Sequence, residues 1–99
     1  DLSEFLDHLE SAGRLEDSYF VLTSDHGEEL FEHGSWSHGQ NLFFHQLHVP
    51  LFVRPPGGLA GGRRVPDIVE LMDVMPTLMT LGGAPSIPQT QGQDLSGFL

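Results

Sequence analysis

The sequence predicts an α/β fold in which helices flank a mostly parallel sheet. Residues 2–12 place apolar side chains at helical spacing, and residues 18–23 form a short apolar run rich in β-forming residues. Such a run is typical of a strand that is buried on both faces, as parallel strands are. A helix, a short link and a strand together make one half of an α/β unit.

The segment after this strand has a different composition. Residues 24–41 contain three glycines, three histidines and four acids, which predicts a loop with one helical turn at 29–32. Ligand sites in open α/β sheets lie just beyond the carboxyl ends of strands, so this loop is where a functional site is expected. Further along, we expect a short helix at 42–48 and a second strand at 50–53.

The second half of the chain predicts one more helix. Residues 55–62 are rich in glycine and proline and predict a surface loop, followed by an extended segment at 65–70. Asp73 is a suitable N-cap for a helix over 74–81. The tail, residues 84–99, is rich in proline, glutamine and glycine and should be mostly irregular.

The composition argues against several classes of function. The 99 residues include 14 acids and 4 bases, for a formal net charge of −10. An acidic surface repels phosphate backbones and anionic lipids, so we expect no nucleic-acid partner. Because there is no cysteine, disulfides and cysteine zinc sites are excluded in this chain. No apolar run approaches the roughly 20 residues that span a bilayer.

We expect residues 1–99 to form a single partial domain. The sequence shows no internal repeat and no linker that would divide it. It begins with Asp and shows no signal peptide, so we expect the N-terminal part of the domain to be missing. The compartment in which the protein works is left open.

Asp25 and His26 are the first candidates for chemistry. A carboxylate and an imidazole at the end of a buried strand can bind one divalent ion together. Gly27 permits the backbone to turn there, so that the two adjacent side chains can converge. The structural alternative is that Asp25 caps a turn over 28–32 and His26 faces solvent.

Two more histidines follow in the same segment. His33 and His38 could bind metal, shuttle a proton or bind an anion, or they could be ordinary surface residues. Trp36 between them is interpreted as a packing residue, although a ring beside a pocket could also contact substrate. Ser24 is rejected as a nucleophile, because the sequence places no base to activate it.

We expect the other charged residues of this region to have structural roles. The acids of the predicted helical turn are interpreted as one solvated helical face; they are Glu28, Glu29 and Glu32. Arg54 ends a predicted strand and is expected to pair with an anion or an acid.

Three stretches taken together are far more specific than any single residue. They are TSDHGEELFEHGSWSHG, NLFFHQLHVPLFVRPPG and RRVPDIVELMDVMPTLMTLGG, in this order. From about Tyr19 to Leu99 the chain resembles the C-terminal half of the sulfatase family, within the alkaline phosphatase superfamily. The resemblance implies a fragment of an alkaline-phosphatase-like sandwich, with a central, mostly parallel sheet flanked by helices.

The resemblance also implies roles for individual residues. Asp25 and His26 match the family's second pair of metal ligands. His38 falls where the family has a Lys or His that contacts the sulfate group or the leaving oxygen, so it is the catalytic and substrate-binding candidate. Ca²⁺ is the expected metal, with Mg²⁺, Mn²⁺ or Zn²⁺ as alternatives. The formylglycine nucleophile, from a Cys-x-Pro-x-Arg motif, and the other metal ligands are expected in the missing N-terminal part.

The implied function is that of a sulfuric ester hydrolase acting on a sulfate ester, with this chain inactive by itself. One alternative is a relative that hydrolyses or transfers phosphate or phosphonate esters. Another is a non-catalytic fragment. A Cys-x-Pro-x-Arg segment upstream would favour the sulfatase, whereas a plain Thr or Ser nucleophile would favour phosphoryl transfer. Family members are typically periplasmic, secreted or lysosomal.

Overall fold

The structure is a computed structural model that describes residues 1–58 and 62–99. Its elements are α1 (Leu2–Ser11), β1 (Phe20–Thr23), β2 (Glu29–Leu30), β3 (Trp36–Ser37), α2 (Phe44–Leu47), β4 (Leu51–Arg54), a 3₁₀ turn (Leu71–Asp73), α3 (Val74–Leu81) and a second 3₁₀ turn (Ser96–Phe98). The mixture of helices and strands fits the predicted α/β class. The chain divides into two compact units, residues 20–53 and residues 1–19 with 54–99.

Helix α1 begins at a reciprocal cap. The Asp1 carboxylate accepts a hydrogen bond from the Glu4 N–H at 3.0 Å, and the Glu4 carboxylate accepts one from the Asp1 amino group at 2.7 Å. This capping box satisfies donors that have no partner within the helix. The helix predicted over 2–12 is therefore confirmed, and Gly13 follows it with a positive φ of 65°.

The unit of residues 20–53 contains two small sheets. Strand β1 pairs with β4, and β2 pairs with β3. The strands predicted at 18–23 and 50–53 are confirmed within a residue or two at their ends. In the described chain β1 is half-buried, not buried on both faces.

The hairpin formed by β2 and β3 replaces the helical turn predicted at 29–32, which is wrong. The strands are antiparallel, with Glu29 opposite Ser37 and Leu30 opposite Trp36. A tight turn closes the hairpin, because Phe31 adopts a positive φ of 77° and its N–H donates to the Ser35 carbonyl at 3.0 Å. Cross-strand hydrogen bonds stabilise the hairpin, whereas a single isolated helical turn is unfavourable to form.

Helix α3 has the predicted bounds, but Asp73 does not cap it with its side chain. The Asp73 carboxylate is buried and accepts hydrogen bonds from the N–H groups of Glu70 at 2.8 Å and Gln93 at 2.7 Å. Thr77 receives a further bond from the Leu95 N–H at 2.9 Å. These bonds attach the tail, which is irregular apart from its 3₁₀ turn, to the start of α3.

The loop predicted at 55–62 lies partly outside the described residues. In its described part, the Gly57 N–H donates to the Glu16 carbonyl at 3.0 Å. Arg54 donates to the Leu15 carbonyl at 2.5 Å and lies 3.9 Å from the Glu16 carboxylate, as the predicted pairing with an acid requires. In residues 1–58 and 62–99, no helix is long and apolar enough to cross a bilayer.

Candidate functional site

The backbone turns where β1 ends, and this turn brings Asp25 and His26 together. Asp25 Oδ1 accepts a hydrogen bond from the His26 N–H at 2.9 Å, and Asp25 Oδ2 lies 3.7 Å from His26 Nε2. The Ser24 hydroxyl donates to the His26 carbonyl at 2.7 Å, so it closes the turn. The two adjacent side chains therefore converge on one exposed point, and Asp25 does not cap a turn over 28–32.

The tautomer of His26 follows from its neighbour. His26 Nδ1 lies 2.9 Å from the Gly27 carbonyl oxygen. Because a carbonyl only accepts, Nδ1 carries the hydrogen and Nε2 presents its lone pair on the side of Asp25. The Gly27 hydrogen bond, aided by the carboxylates of Asp25 and Glu28, raises the pKa of His26 above its ordinary value.

Gly27 holds this turn against helix α2. Its N–H donates to the Gln46 carbonyl at 2.9 Å. A Cβ atom at position 27 would lie 2.0 Å from the His45 carbonyl oxygen, which is backbone and cannot rotate away. The absence of a side chain at Gly27 therefore permits the close approach that fixes the candidate site.

Gly27→Ala should destabilise the full-length protein by about 1–3 kcal/mol, the usual range for overpacking a filled site. Thermal or denaturant unfolding measures the change. Gly97→Ala is the matched control, because a Cβ atom at position 97 meets nothing within 4 Å. Equal stability of the two variants would contradict the close approach at Gly27.

The β2–β3 hairpin brings Glu28 to His38. The two residues lie one position beyond the Glu29–Ser37 pair, and His38 Nδ1 is 2.5 Å from Glu28 Oε1. The His38 ring also stacks on the His26 ring, with centroids 4.1 Å apart and planes at 28°. The predicted candidates His26 and His38, 12 positions apart in the sequence, thus lie side by side.

Two overlapping sets of donor atoms result. Asp25 and His26 offer an oxygen and a nitrogen, whereas His26, Glu28 and His38 offer donor atoms that all lie within 4.8 Å of one another. Oxygen-rich sets suit Ca²⁺ and Mg²⁺, and sets with two imidazoles suit Zn²⁺ and similar ions. The donor atoms therefore fit a divalent cation, and His38 lies either within the fitting set or beside it.

Glu29 is buried, so its interpretation as a solvated acid is wrong. Its side chain has 0% exposure and accepts hydrogen bonds from the His33 N–H at 2.9 Å and from Asn41 Nδ2 at 2.8 Å. The Asn41 hydrogen bond, with that of His33, holds the pKa of Glu29 below its ordinary value against the opposing effect of burial. Successive side chains of a strand point to opposite faces, so Glu28 reaches His38 while Glu29 is buried.

The other aromatic candidates lie on the surface. The His33 ring stacks on Phe43, with centroids 3.7 Å apart, and its Nδ1 lies 3.3 Å from the Glu29 carboxylate. Trp36 is 67% exposed in the described chain and lies 6.3 Å from the Phe31 ring, so its interpretation as a packing residue stays a prediction.

The class of protein follows from comparison with a sequence family. The sequence model of the family described as Sulfatase matches residues 2–84. The chain therefore belongs to the sulfatase family of hydrolases.

Individual relatives are similar over nearly the whole chain. Arylsulfatase K of Danio rerio is 36% identical over 96 residues, which cover 97% of this chain and 17% of that protein. Arylsulfatase K of Bos taurus is 33% identical over 97 residues. An extracellular sulfatase SULF-1 homolog of Drosophila melanogaster is 32% identical and covers 92% of this chain. The chain spans 17% of the length of its arylsulfatase K relatives.

Two solved structures are also similar. The phosphonate monoester hydrolase SpPMH from Silicibacter pomeroyi matches with a TM-score of 0.86 and 31% identity, over 99% of this chain and 19% of that one. A protein solved in complex with its substrate D-glucosamine-2-N,6-O-disulfate matches with a TM-score of 0.74 and 27% identity, over 98% of this chain and 19% of that one.

Proposed function

We propose that the chain is part of a metal-dependent sulfuric ester hydrolase, to which it supplies two metal ligands and a histidine that contacts the substrate. The ligands are Asp25 and His26, and the histidine is His38. The observation that carries this proposal is the meeting of these three residues where β1 ends, in a member of the sulfatase family.

The donor atoms fit a divalent cation. Asp25 Oδ2 and His26 Nε2 lie 3.7 Å apart and are exposed, and the Gly27 carbonyl fixes the His26 tautomer that leaves Nε2 free. We propose Ca²⁺, with Mg²⁺, Mn²⁺ or Zn²⁺ as alternatives. A bound cation stabilises the negative charge on the oxygens of a sulfate ester and orients the nucleophile. A formylglycine nucleophile is proposed in the part of the domain outside this chain.

His38 acts on the substrate in this proposal. Its Nδ1 donates to the Glu28 carboxylate, so the ring is oriented and Nε2 remains for the substrate. When Nε2 is protonated, it donates to the leaving oxygen and assists departure as the S–O bond breaks. Glu28 thereby fixes which nitrogen faces the ester.

The whole catalytic domain would complete the fold. Large apolar side chains are exposed on several elements, among them Phe5 on α1, Phe52 on β4 and Met75 on α3. We propose that these faces pack against the remainder of the domain. Strand β1 would then lie inside a larger, mostly parallel sheet of an alkaline-phosphatase-like sandwich, with the candidate site at its carboxyl end.

A phosphonate or phosphate ester hydrolase is the second candidate. The observation that favours it is the TM-score of 0.86 with a phosphonate monoester hydrolase, which exceeds the 0.74 with the glucosamine disulfate complex. A non-catalytic role is the third.

The full-length protein should be assayed with 4-nitrophenyl sulfate and with a 4-nitrophenyl phosphonate monoester, before and after removal of metal by a chelator. We expect the sulfate to be preferred in kcat/KM by about tenfold or more, that is by about 1.4 kcal/mol. The activity should be lost with the metal. The reverse preference would establish the phosphonate hydrolase, and no turnover of either ester would favour the non-catalytic role.

A further inference from the structure

A single side chain holds the backbone on both sides of His38. Gln46 Oε1 accepts a hydrogen bond from the Gly39 N–H at 2.9 Å, and Gln46 Nε2 lies 3.5 Å from the Ser37 carbonyl oxygen. Gln46 is buried, whereas His38 is exposed. The buried Gln46 amide therefore fixes the backbone that carries the exposed His38 imidazole.

The backbone at this place needs such support. Ser37 has a φ of 149°, in a region that side chains other than that of glycine rarely adopt, and Gly39 follows with a φ of 78°. A conformation of this kind persists only where its surroundings determine it. The hydrogen bonds of Gln46 to Ser37 and Gly39, the two residues that flank His38, hold this conformation in place.

Glu29 in turn orients the amide of Gln46. Asn41 Nδ2 donates to Glu29 Oε2 at 2.8 Å, so Asn41 Oδ1 faces Gln46 and accepts from its Nε2 at 2.8 Å. Gln46 Nε2 also lies 3.5 Å from Glu29 Oε2. Because a carboxylate only accepts, both amides must present their NH₂ groups inward, which leaves Gln46 Oε1 for the Gly39 N–H.

We infer that Glu29, Asn41 and Gln46 form a polar clamp, buried at Glu29 and Gln46, that positions His38 for its action on the substrate. Glu29 is a positioning residue, because it does not touch His38, whose own polar partner is Glu28. Gln46 also accepts the Gly27 N–H through its main-chain carbonyl, so the same residue holds the metal-binding turn. The link to catalysis depends on the role proposed above for His38.

The test is Glu29→Gln in the full-length enzyme. The new NH₂ group would face donors that need an acceptor, so the amides should lose their fixed orientation. We expect peptides covering residues 36–40 to exchange their amide hydrogens about tenfold faster. For an alkyl sulfate, kcat should fall about tenfold or more, as it does when a reacting group is misplaced. For 4-nitrophenyl sulfate, which needs less protonation, the loss should be smaller, with KM and metal content unchanged.

A double-mutant cycle separates positioning from a general loss of structure. In a His38→Ala background, Glu29→Gln should change kcat less than about threefold, because the group it positions is gone. Glu10→Gln on α1 removes an exposed charge and is the control. If Glu29→Gln impairs folding, Asn41→Ser, at a half-exposed position, breaks the same clamp more gently and should give the same pattern.

Unchanged hydrogen exchange around His38 in both variants would overturn the clamp. Independent, additive losses of activity in the double mutant would overturn its role in catalysis. Faster exchange together with full activity in His38→Ala would support the clamp and overturn the proposed role of His38, so failure of the two proposals can be told apart.

Discussion

Asp25→Ala in the full-length enzyme should lose bound metal and activity together. The Asp25 carboxylate lies 3.7 Å from His26 Nε2 and brings a full negative charge to the exposed site. A catalytic cation stabilises charge by several kcal/mol, and each 1.4 kcal/mol is worth about tenfold in rate, so kcat/KM should fall about 10³-fold or more. Elemental analysis of the purified protein measures the metal, and ester hydrolysis measures the rate.

Asp7→Ala provides the control for this experiment, because Asp7 is an exposed acid on α1 in the other compact unit. It should keep both metal and activity. Normal metal content in Asp25→Ala would remove Asp25 from the ligand set, whether or not activity survives. Added Ca²⁺ at high concentration should restore part of the rate if the variant only binds metal more weakly.

The elements that were predictable from sequence are those specified by local pattern. Apolar residues at helical spacing predict α1, an apolar run predicts β1, and Asp73 as an N-cap candidate predicts the helix over 74–81. The turn at Asp25 and His26 was also predictable, because Gly27 lies within a few residues of the strand end. In each case the residues that determine the structure lie within a few positions of one another.

The burial of Glu29 could not be predicted from local sequence pattern. The strands β2 and β3 have two residues each, too few to show a period. Glu29 is satisfied by Asn41 and Gln46, which lie 12 and 17 positions away. Only their approach in space decides that Glu28 faces His38 while Glu29 is buried. Polar residues whose amides can satisfy a carboxylate are the one sequence signal that could have suggested this.

The exposure of β1 has a different cause. An apolar run predicts a strand buried on both faces, but Phe20, Val21 and Leu22 are half-exposed here. The sequence pattern reports the environment of the whole domain, whereas the described chain spans 17% of the length of its arylsulfatase K relatives. Burial of β1 on both faces stays a prediction for the larger domain proposed above.

His38→Ala should lower kcat/KM by about 10²-fold or more, the usual scale for a lost general acid or oxyanion donor, while metal content stays unchanged. The physical reason is the geometry of the ring, which stacks on His26 and uses Nδ1 for Glu28, leaving Nε2 for the ester. The loss should shrink for substrates with good leaving groups, because their departing oxygen needs less protonation. Steady-state kinetics with aryl and alkyl sulfates measures this dependence.

Two further variants make the His38 prediction decisive. His38→Lys keeps a cationic donor and should recover most of the lost rate at neutral pH, since an ammonium group supplies the same charge and a transferable proton. His8→Ala removes an exposed histidine of α1 and should have no effect. Loss of metal in His38→Ala would instead place His38 in the donor set with His26 and Glu28, whose ligand atoms lie within 4.8 Å of one another. In that case a substrate role would be wrong, and the site would be one suited to Zn²⁺ more than to Ca²⁺.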